Sequence, residues 1–146
     1  MSADLEEREP QRHVGYLLRR AQQLHVAAWT RLVSPEISTV QYSVLAVLDR
    51  LGEASQRELC DEVDLDRSTI ADLVARMERR GLIVRTRDPQ DARRKTVQLT
   101  EHGRAERWRL RPLVEQVQEE LVGSLPPETR AALSAALREM LAADRG

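Results

Sequence analysis

The sequence predicts a mainly helical fold carrying one small β-hairpin, on three observations. First, Ile70, Leu73, Val74 and Met77 fall at i, i+3, i+4 and i+7, the stripe of an amphipathic helix. Second, the period drops to two immediately afterwards. Val84 and Thr86 alternate with Arg85 and Arg87, then Val97 and Leu99 with Thr96 and Gln98, about the turn residues Asp88-Pro89-Gln90-Asp91. Third, phenylalanine is absent and aromatics make up only 3% of 146 residues, so the core rests on Leu, Val and Ala, which favours helix packing. A capped helix running directly into a basic hairpin is the outline of a winged helix.

Taken in order, residues 1–10 read as a disordered acidic tail, and Pro10 marks the edge of the first helix. Val14, Leu17, Leu18, Ala21, Leu24, Ala28 and Leu32 hold helical spacing, so this helix runs to about Val33, with Pro35 beyond its end. Ser38-Thr39-Val40-Gln41 is a capping box for a second helix with Val44, Val47, Leu48 and Leu51 on one face and Gly52 as its stop. Ser55-Gln56-Arg57-Glu58 is another, opening a short helix over Gln56–Val63. Only Asp64 and Leu65 separate that helix from the next, which Asp66 caps and Gly81 ends, and so tight a junction is helix-turn-helix anatomy. After the hairpin, Thr100 caps a helix with Leu110, Leu113, Val114, Val117 and Leu121 on one side, kinked near Arg109 by Pro112 and closed by Gly123. Pro126-Pro127-Glu128 opens a last helix with Leu133, Ala136, Leu137, Met140 and Leu141 as its apolar face, and the tail AADRG is expected to fray.

The whole reads as a single domain, 1–146. Residues 38–99 form a winged helix-turn-helix lobe, and the helices of 11–34 and 100–143 form a dimerisation platform. Apolar stripes this long at both ends of a short chain need a partner surface, and a second copy supplies one.

Charge points to the partner. From Asp66 to Lys95 nine basic residues face five acidic ones, so that segment carries +4 while the chain carries −1. Basic charge concentrated on an otherwise acidic molecule is the footprint of a polyanion, here double-stranded DNA. Arg67, Ser68 and Thr69 on an exposed first helical turn can reach phosphates and base edges together. Arg76, Arg79 and Arg80 read equally well as phosphate contacts and as solvent-facing charge, and Arg76 is taken with the DNA-binding set. At the hairpin tip Arg93, Arg94 and Lys95 follow Asp91; a guanidinium suits a narrow, negative minor groove, and a carboxylate two residues away can hold it.

Several classes of function lack support. No nucleophile–base pair, phosphate-cradling glycine loop or carboxylate pair marks an enzyme, and His13, His25 and His102 lack metal-ligand spacing, so neither a metal nor another cofactor is expected. The single cysteine, Cys60, reads as a small buried apolar residue and, with an N-terminus unlike a signal peptide, fits a reducing cytoplasm. No apolar run is long enough to cross a bilayer. The competing reading is a helical interaction module whose basic hairpin binds an acidic protein.

A resemblance adds to these patterns. Glu58-Leu59, Leu65-Asp66-Arg67-Ser68-Thr69-Ile70, Gly81-Leu82-Ile83, Asp88-Pro89, Asp91-Ala92-Arg93-Arg94 and Leu99-Thr100-Glu101-His102-Gly103 resemble the MarR family of bacterial transcriptional regulators over nearly the whole chain. The resemblance implies a homodimer that binds a palindromic operator, usually as a repressor released by a small molecule or by oxidation. It implies that Arg67, Ser68 and Thr69 begin the recognition helix and that Asp91 orients a minor-groove Arg93. In a branch responding to urate and related aromatic anions, a first-helix tryptophan belongs to the effector pocket. A tryptophan at this place on a helix more often packs than lines a pocket; on the resemblance, Trp29 with Tyr42 and His25 is the candidate site for a small aromatic carboxylate or phenolic anion, while Trp108 is expected to pack.

Overall fold

The computed structural model describes residues 7–91 and 93–144. Along them run α1 (Val14–Leu32), α2 (Thr39–Leu51), β1 (Glu53–Ser55), α3 (Gln56–Val63), α4 (Arg67–Arg79), β2 (Ile83–Arg87), β3 (Lys95–Leu99), α5 (Glu101–Val122) and α6 (Pro127–Asp144). They form two compact units: Trp29–Val114, and the described parts of Met1–Ala28 with Glu115–Gly146.

The central unit starts its helices where the side chains supply caps. Ser38 Oγ accepts the Gln41 N–H at 3.1 Å while Gln41 Oε1 accepts the Ser38 N–H at 3.1 Å, so two otherwise orphaned donors at the start of α2 are satisfied. Ser55 and Glu58 repeat the arrangement on α3, and Asp66 caps α4. Gly52 ends α2 at φ +83°, and Asp64 takes φ +58° in the turn between α3 and α4, a left-handed conformation that aspartate tolerates. Thr100 Oγ1 accepts the Gly103 N–H at 3.0 Å and donates to the Gly81 carbonyl, which ties the start of α5 to the end of α4.

The core of this unit comprises Val44, Leu45 and Leu48 of α2, Leu59 of α3, Ile70, Val74 and Met77 of α4, then Leu82, Ile83, Val97 and Leu110. On α2 the buried face is Gln41, Val44, Leu45 and Leu48, rotated from the expected stripe: Leu51 is exposed and Val47 half-buried. Gln41 goes inside because its amide closes the capping box.

The hairpin is the larger part of a three-stranded antiparallel sheet in the order β1-β3-β2. Strand β1 carried no signal in the sequence, because three residues have no period; it forms by pairing Ala54 with Val97. The phase of β2 also differs from the simple alternation. Ile83 lies opposite Leu99 and Arg85 opposite Val97, so these share the inner face, and Val84 points outward, 40% exposed.

In the other unit the helices are equally regular and far less covered. Val14, Leu17, Leu24 and Val26 of α1 and Met140 and Leu141 of α6 are each between 46% and 64% exposed, and α6 buries no residue. Helix α5 continues through Pro112 to Val122. Ala142, Ala143 and Asp144, expected to fray, belong to α6; the last two residues lie outside those described. Of the tail expected over 1–10, residues 1–6 lie outside as well, and Glu9 pairs with Arg12 at 2.7 Å. No helix among the described residues is long and apolar enough to cross a membrane.

Candidate nucleic-acid interface and aromatic cluster

Helix α4 presents its first turn to solvent with Asp66, Arg67, Ser68 and Thr69 all exposed. Asp66 organises that turn: its carboxylate accepts the Thr69 N–H at 3.3 Å, the Ser68 hydroxyl at 2.5 Å and the Thr69 hydroxyl. These donors, the Ser68 hydroxyl first, pull the Asp66 carboxyl down to about 2 from the ordinary 3.8. Both hydroxyls thus donate to Asp66, which leaves their oxygen lone pairs available to accept from an outside donor. Arg76 and Arg79 are exposed further along α4, and Arg80 is not solvent-facing charge alone: it donates to the Glu36 carbonyl at 2.8 Å and pairs with the Glu36 carboxylate at 3.3 Å.

The wing tip is shaped by its aspartates. Asp88 Oδ1 accepts the Gln90 N–H at 2.8 Å, and Asp91 Oδ1 accepts the Arg93 N–H at 3.0 Å. Asp91 therefore orients Arg93 through the backbone, where the expectation was a carboxylate holding the guanidinium itself. Arg93 and Lys95 are exposed.

The wing is anchored to both helices of the helix-turn-helix. Arg85 forks onto Glu78 of α4, Nη2 to Oε1 at 2.9 Å and Nε to Oε2 at 3.2 Å. Hydrogen bonding from Arg85 holds the Glu78 carboxyl below the usual glutamate range, and Glu78 holds the Arg85 guanidinium above its ordinary value. Arg94 Nη2 reaches Glu58 Oε1 of α3 at 2.6 Å. Between wing and α3 lies a groove of about 620 Å³ lined by Arg57, Glu58, Asp91, Arg93, Arg94 and Lys95, with Ser55 and Gln56. A smaller groove, about 310 Å³, runs between α3 and α4 past Arg57, Cys60 and Arg67. Cys60 is a free thiol and half-buried, more accessible than a core residue.

The anchoring carboxylates were not legible in the sequence. Glu58 announced itself as part of a capping box, and nothing local marks its second bond to a residue 36 positions away.

The aromatic residues divide. Trp29 is 5% exposed, its indole N–H donates to the Ile37 carbonyl at 2.7 Å, and its ring meets Tyr42 edge-on at 5.6 Å. Arg107, which sequence reasoning passed over, donates to the Tyr42 hydroxyl, lies 5.2 Å from the Tyr42 ring centre and faces Asp49 at 3.5 Å. Trp108, expected to pack, is 50% exposed and flanked by Arg107 and Arg111 at 5.5 and 5.1 Å. His25 stands four residues before Trp29 on α1, in the other compact unit, with Nδ1 3.4 Å from Gln22 Oε1. Among the described residues no group of three His, Cys, Asp or Glu side chains is placed to hold a metal.

Known proteins share this architecture. The profile of the MarR family matches residues 36–94. The HTH-type transcriptional repressor NicR of Pseudomonas putida is 36% identical over 132 residues, 90% of this chain and 84% of that protein. The PcaV transcriptional regulator from Streptomyces coelicolor, crystallised with its natural ligand, aligns at a TM-score of 0.86 and 37% identity over 90% of this chain and 94% of its own. BpsR of Bordetella bronchiseptica, whose DNA binding is regulated by 6-hydroxynicotinic acid, aligns at 0.86 and 32% identity over 91% and 96%.

Proposed function

This chain belongs to the MarR family of DNA-binding transcriptional regulators, and from that premise we propose that it is a homodimeric repressor of a two-fold symmetric operator, released by a small aromatic anion. The observation that carries the reading is the joint placement of a capped, exposed α4 turn and an anchored basic wing in one well-packed unit. A major groove about 12 Å wide admits α4, and the arginine at the wing tip suits the narrower neighbouring groove. Arg67, Ser68, Thr69 and Arg76 make the contacts from α4. Arg93 and Lys95 make them from the wing, with Asp91 setting the tip; Arg94 belongs to the wing's attachment to α3.

Dimerisation through α1, α5 and α6 places two such units on half-sites about 34 Å apart. It also covers the apolar side chains those helices leave exposed. The effector acts by population shift, favouring a dimer whose two α4 helices no longer match successive grooves. Trp29 and Tyr42 remain the candidate effector residues, while His25 belongs to the other unit. Trp29 would serve as an apolar floor because its N–H is already used, and Arg107 beside Tyr42 would supply the positive charge that draws a carboxylate. In this reading no bond is made or broken.

The test is selection of duplexes from a random pool by the purified protein, followed by titration of the selected duplex against a scrambled one. We expect a preference for the selected duplex that 6-hydroxynicotinic acid or salicylate reduces. Arg93→Ala should weaken its binding by about 1–3 kcal/mol, the range for a specific groove contact. Equal affinity for selected and scrambled duplexes would overturn the reading.

A further inference from the structure

The basic groove between the wing and α3 contains a carboxylate that nothing in the proposed DNA contacts uses. We infer that Glu58 is a specificity-determining residue. It holds the Arg94 guanidinium against α3, which tethers the wing and withholds one positive charge per protomer from indiscriminate contact with phosphates. The inference deepens the reading that this face binds DNA and rests on it.

The pair is fixed at both ends. Glu58 occupies the third position of α3, where its N–H donates to Ser55 Oγ at 3.1 Å and its Oε1 accepts the Ser55 hydroxyl at 3.1 Å. Arg94 is fixed through its backbone: its N–H donates to the Asp91 carbonyl at 3.0 Å and its carbonyl accepts the Asp88 N–H at 2.8 Å. The two side chains, each on a backbone held by local hydrogen bonds, meet at 2.6 Å. The local charge favours the pairing too, since Arg94 sits between Arg93 and Lys95 in a groove that also holds Arg57. A DNA phosphate competing for Arg94 would leave the Glu58 carboxylate facing that phosphate, two anions over one cation. The like-charge repulsion disfavours the exchange. Phosphate contacts raise affinity for every sequence alike, so a cation held back from them lowers non-specific binding while the wing keeps its geometry.

The experiment compares the native chain, Glu58→Gln, Arg94→Ala and the double variant on two duplexes, the one selected by the native chain and a scrambled sequence of equal length, between 50 and 200 mM salt. Glutamine at this helix position still accepts the Ser55 N–H and preserves the cap. Glu58→Gln should bind the scrambled duplex more tightly and with a slope steeper by about 0.9 per protomer, an extra factor of about three over that salt range for each released arginine. Its preference for the selected duplex should fall, and adding Arg94→Ala should return the slope to the native value. Arg94→Ala alone should lose affinity for the selected duplex through the lost tether while keeping the native slope on the scrambled one. The inference is overturned if Glu58→Gln has the native slope, or if Arg94→Ala alone flattens the slope by about 0.9, which would place Arg94 on a phosphate in the native complex. The second arm leaves the cap untouched, so it decides the matter even where the Glu58 variant unfolds. Lack of any native preference between the two duplexes would instead sink the DNA reading itself.

Discussion

The two compact units solve the problem of burial differently. In Trp29–Val114, buried side chains of α2, α3, α4, α5 and the sheet converge, and Leu45, Leu48, Leu59, Ile70 and Met77 are essentially inaccessible to solvent. In the other unit, α6 buries nothing and α1 leaves Val14, Leu17 and Leu24 more than half exposed. Covering half of one such side chain is worth about 1 kcal/mol, so the six most exposed together supply a substantial drive for self-association. The contrast teaches a division of labour: the DNA-reading unit carries its own core in one chain, whereas the terminal helices present surface whose natural complement is a second copy.

Three experiments press on that comparison, from the largest expected effect to the smallest. Leu45→Ala should cost about 2–5 kcal/mol in denaturant unfolding, because a fully buried leucine leaves a cavity in a core that cannot collapse around it. Leu141→Ala, 56% exposed, should change unfolding little and instead weaken self-association in sedimentation measurements. The contrast fails if Leu141→Ala unfolds like Leu45→Ala while remaining dimeric.

Glycines sharpen the same contrast. A Cβ on Gly103 would lie 1.9 Å from the Leu82 carbonyl oxygen, which is itself held by the Thr100 N–H at 3.1 Å, so backbone has to move. Gly103→Ala should therefore destabilise by about 1–3 kcal/mol or more. In the other unit Gly15 has nothing within 4 Å of its would-be Cβ, and Gly15→Ala should stabilise α1 by up to about 1 kcal/mol. Thermal melts of the two variants should move in opposite directions.

The smallest effect is that of acid on the α4 cap. The Asp66 carboxyl lies near 2 when folded and 3.8 ordinarily, so between those values the unfolded chain binds the proton and the folded chain does not. Its contribution is present above about pH 4 and lost as pH falls toward 2. Asp66→Asn should flatten that limb of a circular-dichroism stability profile; an unchanged limb would show that the carboxylate's bonds to Ser68 and Thr69 do not matter to folding.

Much of the fold could be read in the chain itself. Ser38, Ser55, Asp66, Thr100 and Gly52 mark helix ends through bonds that span a few residues, and the structure places caps at each. The same locality explains the failures. Alternation alone sets Val84 and Thr86 apart from Arg85 and Arg87 without saying which pair faces the core, and pairing of Ile83 with Leu99 decides it. Trp29 carries an aromatic signal that favours packing and leaves a pocket open, and only its bond to the Ile37 carbonyl shows how its polar edge is satisfied.

The sequence by itself determined where helices begin and end, and that positive charge gathers between residues 66 and 95, since caps, periods and charge counts are properties of neighbouring residues. Only the tertiary structure decided which of those charges are compensated on the protein. Arg80 meets Glu36 across 44 positions and Arg94 meets Glu58 across 36. Coulomb attraction falls with distance in space and takes no account of distance along the chain, so no local pattern of residues could announce those pairs.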